Sequence, residues 1–187
     1  MIKLVVMLAA SLAAVACGDE GSSSGPVASG DVPFDRAFID AMVPHHREAI
    51  AMAEAATERL LSQPDLAEIA NDIINSQQLE IDQMLEWREG WFGSRTLGPV
   101  EPEVLGVPED ELGMEHGSAD EVANAADVDA AFAALMIPHH EGAIAMAEAA
   151  TRRGQHDEVR DLAARIIDAQ EREIEVMGPH ASGEHHG

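Results

Sequence analysis

One segment of this chain occurs twice. The sequence MVPHHREAIAMAEAAT at Met42–Thr57 returns as MIPHHEGAIAMAEAAT at Met136–Thr151. The segments that follow also match, EIANDIINSQQLEIDQM at Glu68–Met84 with DLAARIIDAQEREIEVM at Asp161–Met177. A near-identical copy within one chain indicates a structural unit that is used twice. The apolar spacing inside each copy is helical, so residues 34–91 and 128–178, the first and second halves, are predicted to be two similar helical hairpins.

Neither hairpin can bury its apolar face alone, and two hairpins packed together give a four-helix bundle. The chain is 46% hydrophobic but only 3% aromatic, which suits close-packed helices better than a sheet. The fold class is therefore predicted to be all-α, with the bundle spanning residues 34–178. The four helices are predicted at about 36–60, 66–91, 128–153 and 157–177, and Asp35 is the expected N-cap of the first.

Two other parts of the chain lack the repeat. Residues 92–127 are rich in Gly, Pro and Glu and are predicted to be a crossover loop between the halves, with a short helix at about 118–126. Residues 179–187 form a His-rich tail, in which His180, His185 and His186 could bind metal weakly.

The N-terminus has the pattern of an export signal. Residues 1–16 combine Lys3 with the apolar run LVVMLAASLAAVA, too short for a permanent membrane span, and are predicted to be a signal peptide. Cys17, the one cysteine, follows Ala16 in a pattern that resembles a bacterial lipobox, so we expect cleavage before Cys17 and lipid on its sulfur. Residues 17–33 would then tether the domain to an inner or outer membrane of the cell envelope, facing the periplasm or the outer cell surface.

The charge of the chain excludes one class of partner. Its formal net charge is −24, from 35 acidic residues against 11 Lys and Arg. Nucleic acid binding needs a basic surface to neutralise phosphates, so this charge argues against it. An acidic surface raises the local concentration of cations instead.

Each copy of the repeat carries two adjacent histidines within an apolar pattern. Helical spacing puts Met42 and His45 on one inward stripe, with His46 on the stripe beside it. Met136, His139 and His140 take the same places in the third helix. Buried polar groups are costly unless something binds them. The paired histidines are therefore the strongest functional candidates in the sequence.

The register of the hairpins brings more ligand types to these histidines. If the first hairpin turns near residue 62, facing residues have numbers that sum to about 124, because both helices rise equally per residue. A turn near residue 155 does the same in the second half. The predicted metal ligands are Met42, His45, His46, Glu80 and Met84 in the first half, and Met136, His139, His140, Glu173 and Met177 in the second.

Imidazole, thioether and carboxylate together form a ligand set that suits copper. Thioethers are soft and select Cu(I), while imidazole and carboxylate also accommodate Cu(II). Met52 and Met146 lie well along their helices from these positions and are interpreted as packing residues. The alternative is a metal-free polar network in which Gln77 and Glu80 satisfy the histidines.

At these residues the chain resembles the domain-of-unknown-function 305 family (DUF305), which includes copper-binding proteins of the copper-resistance protein M type. The resemblance covers about residues 34–177. It rests on PHH followed by AIAMA in both halves and on Q-x-x-E-I-x-x-M at Gln77–Met84 and Gln170–Met177. It implies a ferritin-like bundle and copper binding or tolerance outside the cytoplasm. The departures are modest, and they include Glu48, which corresponds to Gly142, and Trp87, which corresponds to His180.

The leading hypothesis is a non-enzymatic, extracytoplasmic lipoprotein that sequesters or passes on copper, as Cu(I) or Cu(II). Its partners would be copper ions and the membrane that holds its lipid anchor, and a homo-oligomer is left open. A metal-free envelope bundle that binds protein partners is the main alternative. A ferritin-like di-metal oxidase is disfavoured, because such sites use Glu-x-x-His motifs and no Glu stands three residues before any of the paired histidines.

Overall fold

The computed structural model describes residues 32–114 and 117–182, and within these ranges the regular structure is entirely helical. The α-helices are α1 (Phe34–Glu58), α2 (Pro64–Phe92), α3 (Pro102–Leu105), α4 (Ala119–Asn124), α5 (Val128–Arg153) and α6 (Asp157–Met177), with 3-10 turns at Glu109–Glu111 and Gly178–His180. The predicted signal peptide, Cys17 and residues 18–31 of the predicted tether lie outside the described residues, as do His185 and His186. No helix in the described ranges combines the length and the apolar character that a membrane span requires.

The all-α prediction is confirmed, and a short helix, α4, lies where one was predicted at about 118–126, whereas α3 is a short helix that the sequence analysis does not predict. The four long helices α1, α2, α5 and α6 lie where the repeat predicts them, and two short helices are added within residues 92–127. Pro102 in the first turn of α3 and the side chain of Ser118, which accepts a hydrogen bond from the Glu121 amide of α4, are ordinary helix-start signals. The crossover is ordered because it buries its own apolar residues, namely Leu105, Val107, Leu112 and Val122.

Both repeated prolines lie inside continuous helices. Pro44 is within α1 and Pro138 within α5. Since proline has no N–H, it cannot bond the carbonyl four residues earlier, which is that of Asp40 in α1 and of Ala134 in α5. Each paired-histidine motif therefore begins beside a missing rung of the helical hydrogen-bond ladder.

Helix α1 packs on α2, α5 packs on α6, and contact between α1 and α5 joins the two halves. The buried apolar residues form two clusters, and each cluster draws on both halves. One contains Met42 and Met84 of the first half together with Met146 of the second. The other contains Met136 and Met177 together with Met52. The halves therefore interlock, and neither has a core of its own.

Asp35 does not cap its own helix. Pro33 occupies the N-cap position of α1 and makes no side-chain cap, whereas Asp35 lies in the first turn, fully buried. Its carboxylate accepts hydrogen bonds from the amides of Gln155 at 2.8 Å and His156 at 2.9 Å. Asp35 thus binds the turn between α5 and α6, in the other half.

The equivalent aspartate of the second repeat does the same in return. Asp129, near the start of α5, accepts from the Ser62 amide at 3.0 Å, the Ser62 hydroxyl at 2.7 Å and the Gln63 amide at 3.1 Å. These residues form the turn between α1 and α2. Each half therefore holds the turn of the other through one buried carboxylate.

We expect Asp129→Ala to lower the free energy of unfolding by about 2–3 kcal/mol, because it removes a charged acceptor and leaves amide donors of the turn unpaired. Urea unfolding followed by circular dichroism measures this change. Asp168→Ala, at an exposed position of α6, is the matched control and should shift stability by less than about 0.5 kcal/mol. Equal stability of the two variants would contradict the reciprocal role of Asp129.

Candidate metal centre

The four repeated histidines are buried together where α1 and α5 meet. His45, His46 and His140 have no exposed surface, and His139 is 1% exposed. The rings of His45 and His139 are in contact, with centroids 3.7 Å apart and planes tilted by 40°. The two ligand sets predicted one per half therefore meet as one group. We call His45, His46, His139 and His140 the histidine cluster.

The second histidine of each pair contacts the predicted glutamate of its own hairpin. His46 Nε2 lies 2.7 Å from Glu80 Oε2, and His140 Nε2 lies 2.6 Å from Glu173 Oε2. Both carboxylates are partly exposed, Glu80 by 19% and Glu173 by 15%. The structure thus places both predicted glutamates at the histidine cluster, on the side of α1 and α5 that packs on α2 and α6.

The first histidine of each pair is less well satisfied. Neither ring nitrogen of His45 or of His139 has a hydrogen-bond partner among the described residues, and the Nδ1 atoms of His46 and His140 have none there either. Gln77 and Gln170, one turn from the two glutamates, each bury a side-chain oxygen that is likewise unpartnered within the described ranges. Buried polar atoms of native proteins normally have partners. Their concentration here makes these residues the leading candidate for a binding site.

Burial lowers the pKa of His45 well below its usual value, and the nearby His139, His46 and His140 lower it further. The backbone of Leu112 acts in the opposite direction, although its contact lacks hydrogen-bond geometry. Burial also lowers the pKa of His139, against an opposing effect of Glu48. Both rings are therefore held in the neutral form, which has a free lone pair for a metal ion.

Glu48 is a site residue that sequence reasoning missed. Its carboxylate Oε2 lies 3.7 Å from His139 Nε2, across the contact between the halves and too far for a hydrogen bond. Its side chain is 46% exposed. The signal for it was present, because Glu48 is one of the few positions at which the two copies of the repeat differ.

The matching position in the second half is Gly142, and the crossover fills the space there. A Cβ atom at Gly142 would overlap the carbonyl of Leu112. Gly113 follows with φ of +72°, and a Cβ there would lie 3.0 Å from the backbone oxygens of Pro138 and His139. The crossover can therefore rest directly on α5 at the histidine pair only because residues 113 and 142 are both glycine.

The predicted thioether ligands Met42, Met84, Met136 and Met177 are all fully buried. Met52 and Met146 are buried as well, and each joins the methionines of the opposite half in a shared apolar cluster. These two residues lie far along their own helices from the histidines, as expected. The antiparallel contact of α1 with α5 nevertheless brings them to the methionines of the other half. Spacing within a single helix cannot predict this placement, because it depends on how the two helices pack.

The side chains of the histidine cluster are not arranged as a complete set of ligands around one point. Within residues 32–114 and 117–182, no three His, Cys, Asp or Glu side chains are grouped so as to hold a metal ion. A metal bound by an imidazole lies in the ring plane, along the nitrogen lone pair, so the face-to-face contact of the tilted His45 and His139 rings must change before both rings bind one ion. Such an arrangement favours an ion that needs few ligands, or one that also binds the thioether sulfur of methionine.

The tail is partly attached to the helices. His180 Nε2 lies 2.9 Å from Asp65 Oδ2 at the start of α2. This contact is separate from the histidine cluster, and His116, His185 and His186 lie outside the described residues.

Comparisons with known proteins identify the family of this chain. The model of the family described as domain of unknown function (DUF305) matches residues 35–180, so the chain belongs to the DUF305 family. No protein of curated function matches it. CopM in its Cu(II)-bound form is 33% identical, with a TM-score of 0.64 over 81% of this chain and 98% of that chain.

CopM in its Cu(I)-bound form gives 32% identity and the same TM-score, over 81% of this chain and 97% of that chain. A DUF305 protein from Streptomyces coelicolor is 21% identical, with a TM-score of 0.69 over 78% of this chain and 90% of its own, which shows a common fold.

The metal-free chain should lose stability as the pH falls below about 6.5, the ordinary histidine value. Because His45 and His139 have lowered pKa values in the folded state, the unfolded chain binds more protons in this range. Each contributes a slope of up to about 1.4 kcal/mol per pH unit, and stability is regained above that pH. Urea unfolding between pH 7.5 and 5 should show this slope reduced in the double variant His45→Gln, His139→Gln but kept in His180→Gln. An unchanged slope in the double variant would contradict the assignment.

Gly142→Ala should destabilise the fold by about 1–3 kcal/mol, because the added methyl group displaces the crossover from α5. Gly90→Ala is the matched control, since its Cβ would meet nothing within 4 Å on the exposed face of α2. The control should gain about 0.5–1 kcal/mol from helix propensity. Urea unfolding of both variants tests whether the crossover packs directly on α5 at Gly142. A Gly142→Ala protein as stable as the wild type would contradict that contact.

Proposed function

We propose that this DUF305 protein is a non-enzymatic copper-binding protein that holds Cu(I) at the histidine cluster, for sequestration or copper tolerance. The observation that carries the proposal is the burial of six unpartnered ring nitrogens within four adjacent histidines of the described chain. An unsatisfied buried polar group costs about 1–3 kcal/mol. A protein that keeps several of them in one place gains from an ion that binds them.

The chemistry of the surroundings favours copper. Imidazole suits copper among other metals, and thioethers add selectivity for the soft Cu(I) ion. Met42, Met84, Met136 and Met177 are buried in the two apolar clusters, and Met42 and Met136 lie about one helical turn before the paired histidines in the sequence. Cu(I) also accepts as few as two ligands, which fits a cluster that lacks a ready set of three. The likeness to CopM, solved in copper-bound and silver-bound forms, supports the same ion here.

Glu80 and Glu173 have a second use in this proposal. Each contacts the Nε2 atom of one buried histidine and thereby fixes its orientation and leaves Nδ1 for the metal. A carboxylate that accepts from a metal-binding imidazole also raises the basicity of the ligand nitrogen. We therefore assign the two glutamates to orienting His46 and His140, with direct binding to Cu(II) as their further capacity.

We also propose where the protein works. The sequence pattern at residues 1–17 supports export and a lipid anchor on Cys17, which would place the helical domain in the cell envelope, with copper ions and the membrane as its partners. The four long helices would form the ferritin-like bundle, and the two short helices would close its crossover side.

A metal-free structural role is the second candidate, and the contacts of His46 with Glu80 and of His140 with Glu173 favour it. Such pairs can stabilise a bundle as a buried polar network. This candidate leaves His45 and His139 without a purpose, which is why copper binding is preferred.

A Cu(I) competition titration with a colorimetric chelator tests the proposal, using residues 18–187 with His185 and His186 changed to Asn so that the tail adds no signal. We expect a dissociation constant of roughly nanomolar or tighter. Changing the histidine cluster to Ala should abolish it, while the control changes His156→Gln and His180→Gln should not. A folded protein that retains no Cu(I) would move the assignment to the structural role.

A further inference from the structure

The segments that carry the paired histidines differ at three positions, and one of these differences changes what lies against the buried rings. Glu48 stands in the first half where Gly142 stands in the second, within otherwise nearly identical segments. The repeat keeps its predicted ligands, but the change from Glu48 to Gly142 makes the two sides of the histidine cluster different. In the structure, one side of the cluster has an exposed carboxylate and the other is covered by backbone.

On the side of the first half, Glu48 connects the cluster with solvent. Its side chain is 46% exposed while its Oε2 atom lies 3.7 Å from Nε2 of the buried His139. The carboxylate therefore faces both solvent and the buried imidazole, at a distance longer than a hydrogen bond. His139 in turn contacts His45, so a path of side chains leads from the surface to the centre of the cluster.

On the side of the second half, the equivalent position is closed by backbone. The Leu112 carbonyl occupies the space that a side chain at residue 142 would need, and Gly113 lies against the backbone of Pro138 and His139. Leu112 itself is only 2% exposed. His45 therefore has a covered outer side, where His139 has an exposed carboxylate.

The other two carboxylates at the cluster are held in place. Glu80 and Glu173 lie 2.7 Å and 2.6 Å from His46 and His140, and both are less than half as exposed as Glu48. A carboxylate engaged with its histidine must break that contact before it can carry an ion. Glu48 lies 3.7 Å from His139, so its contact with the ring is longer than those of Glu80 and Glu173 with theirs.

We propose that Cu(I) enters and leaves the histidine cluster through Glu48, and that the crossover at Leu112 and Gly113 closes the matching route on the other side. This proposal rests on copper binding by the cluster. A bare ion that crosses into an apolar interior loses its hydration, which is costly. A carboxylate at the boundary replaces part of that hydration during transfer, and His139 is then the first buried ligand that the ion meets.

Glu48 would be a transfer residue and not a ligand of the bound ion. Its removal should therefore slow uptake and release equally and leave the affinity unchanged. Glu141 provides a matched control, because it is an exposed glutamate on α5 next to Gly142, on the closed side. Glu48→Gln and Glu141→Gln change the net charge by the same amount and keep the size of the side chain.

The experiment loads the full chain with Cu(I) and follows its removal by excess bicinchoninate, with the affinity measured separately by competition. We expect Glu48→Gln to slow removal by about tenfold, the effect of roughly 1.4 kcal/mol on the barrier, with a dissociation constant within about twofold of the wild type. Glu141→Gln should behave as the wild type.

Other results overturn the proposal in distinguishable ways. Equal removal rates for Glu48→Gln and the wild type would exclude Glu48 as the residue through which Cu(I) enters and leaves. A weaker affinity with an unchanged rate of uptake would make Glu48 a ligand of the bound ion instead. Slower removal from Glu141→Gln alone would place the route of Cu(I) on the side of Gly142, which the proposal takes to be closed. A wild-type chain without Cu(I) affinity would refute copper binding itself, and with it the role of Glu48 in copper transfer.

Discussion

The contact between His45 and His139 is the interaction on which the rest of the structure depends. It lies where the two halves meet, and it places against each other two neutral imidazoles that have no hydrogen-bond partner among residues 32–114 and 117–182. Such a contact is unfavourable by itself, because both rings have lost water without gaining hydrogen bonds. The surrounding fold holds it through apolar clusters that include residues of both halves and through Asp35 and Asp129, each of which binds the turn of the opposite hairpin.

The pairing of similar halves explains the depth of this site, and a small departure from similarity explains how it could be reached. Two like hairpins in antiparallel contact bring their equivalent histidines together at the middle of the interface. A fully symmetric pair would have the same residue on both outer sides of the cluster. Glu48 and Gly142 break that symmetry, since one presents an exposed carboxylate and the other admits the crossover backbone.

The sequence predicts those features that depend on one helix or one hairpin. Helical periodicity identified the long helices, and hairpin register placed His46 beside Glu80 and His140 beside Glu173, because both arguments use only regular rise per residue. The contact between halves could not be derived this way, since it depends on how α1 crosses α5. Glu48 was missed for the same reason: its buried neighbour belongs to the other half. The position of Leu112 was also beyond reach, because the crossover has no period to follow.

The central claim, that the histidine cluster is the copper site, is tested most directly by nitrogen NMR of the histidine-labelled chain during titration with Ag(I), a diamagnetic substitute for Cu(I). If the cluster binds the metal, the imidazole resonances of His45, His46, His139 and His140 shift at the first equivalent, while those of His156 and His180 stay in place. Shifts confined to His156, His180 or the tail, with the four buried histidines unchanged, would contradict it.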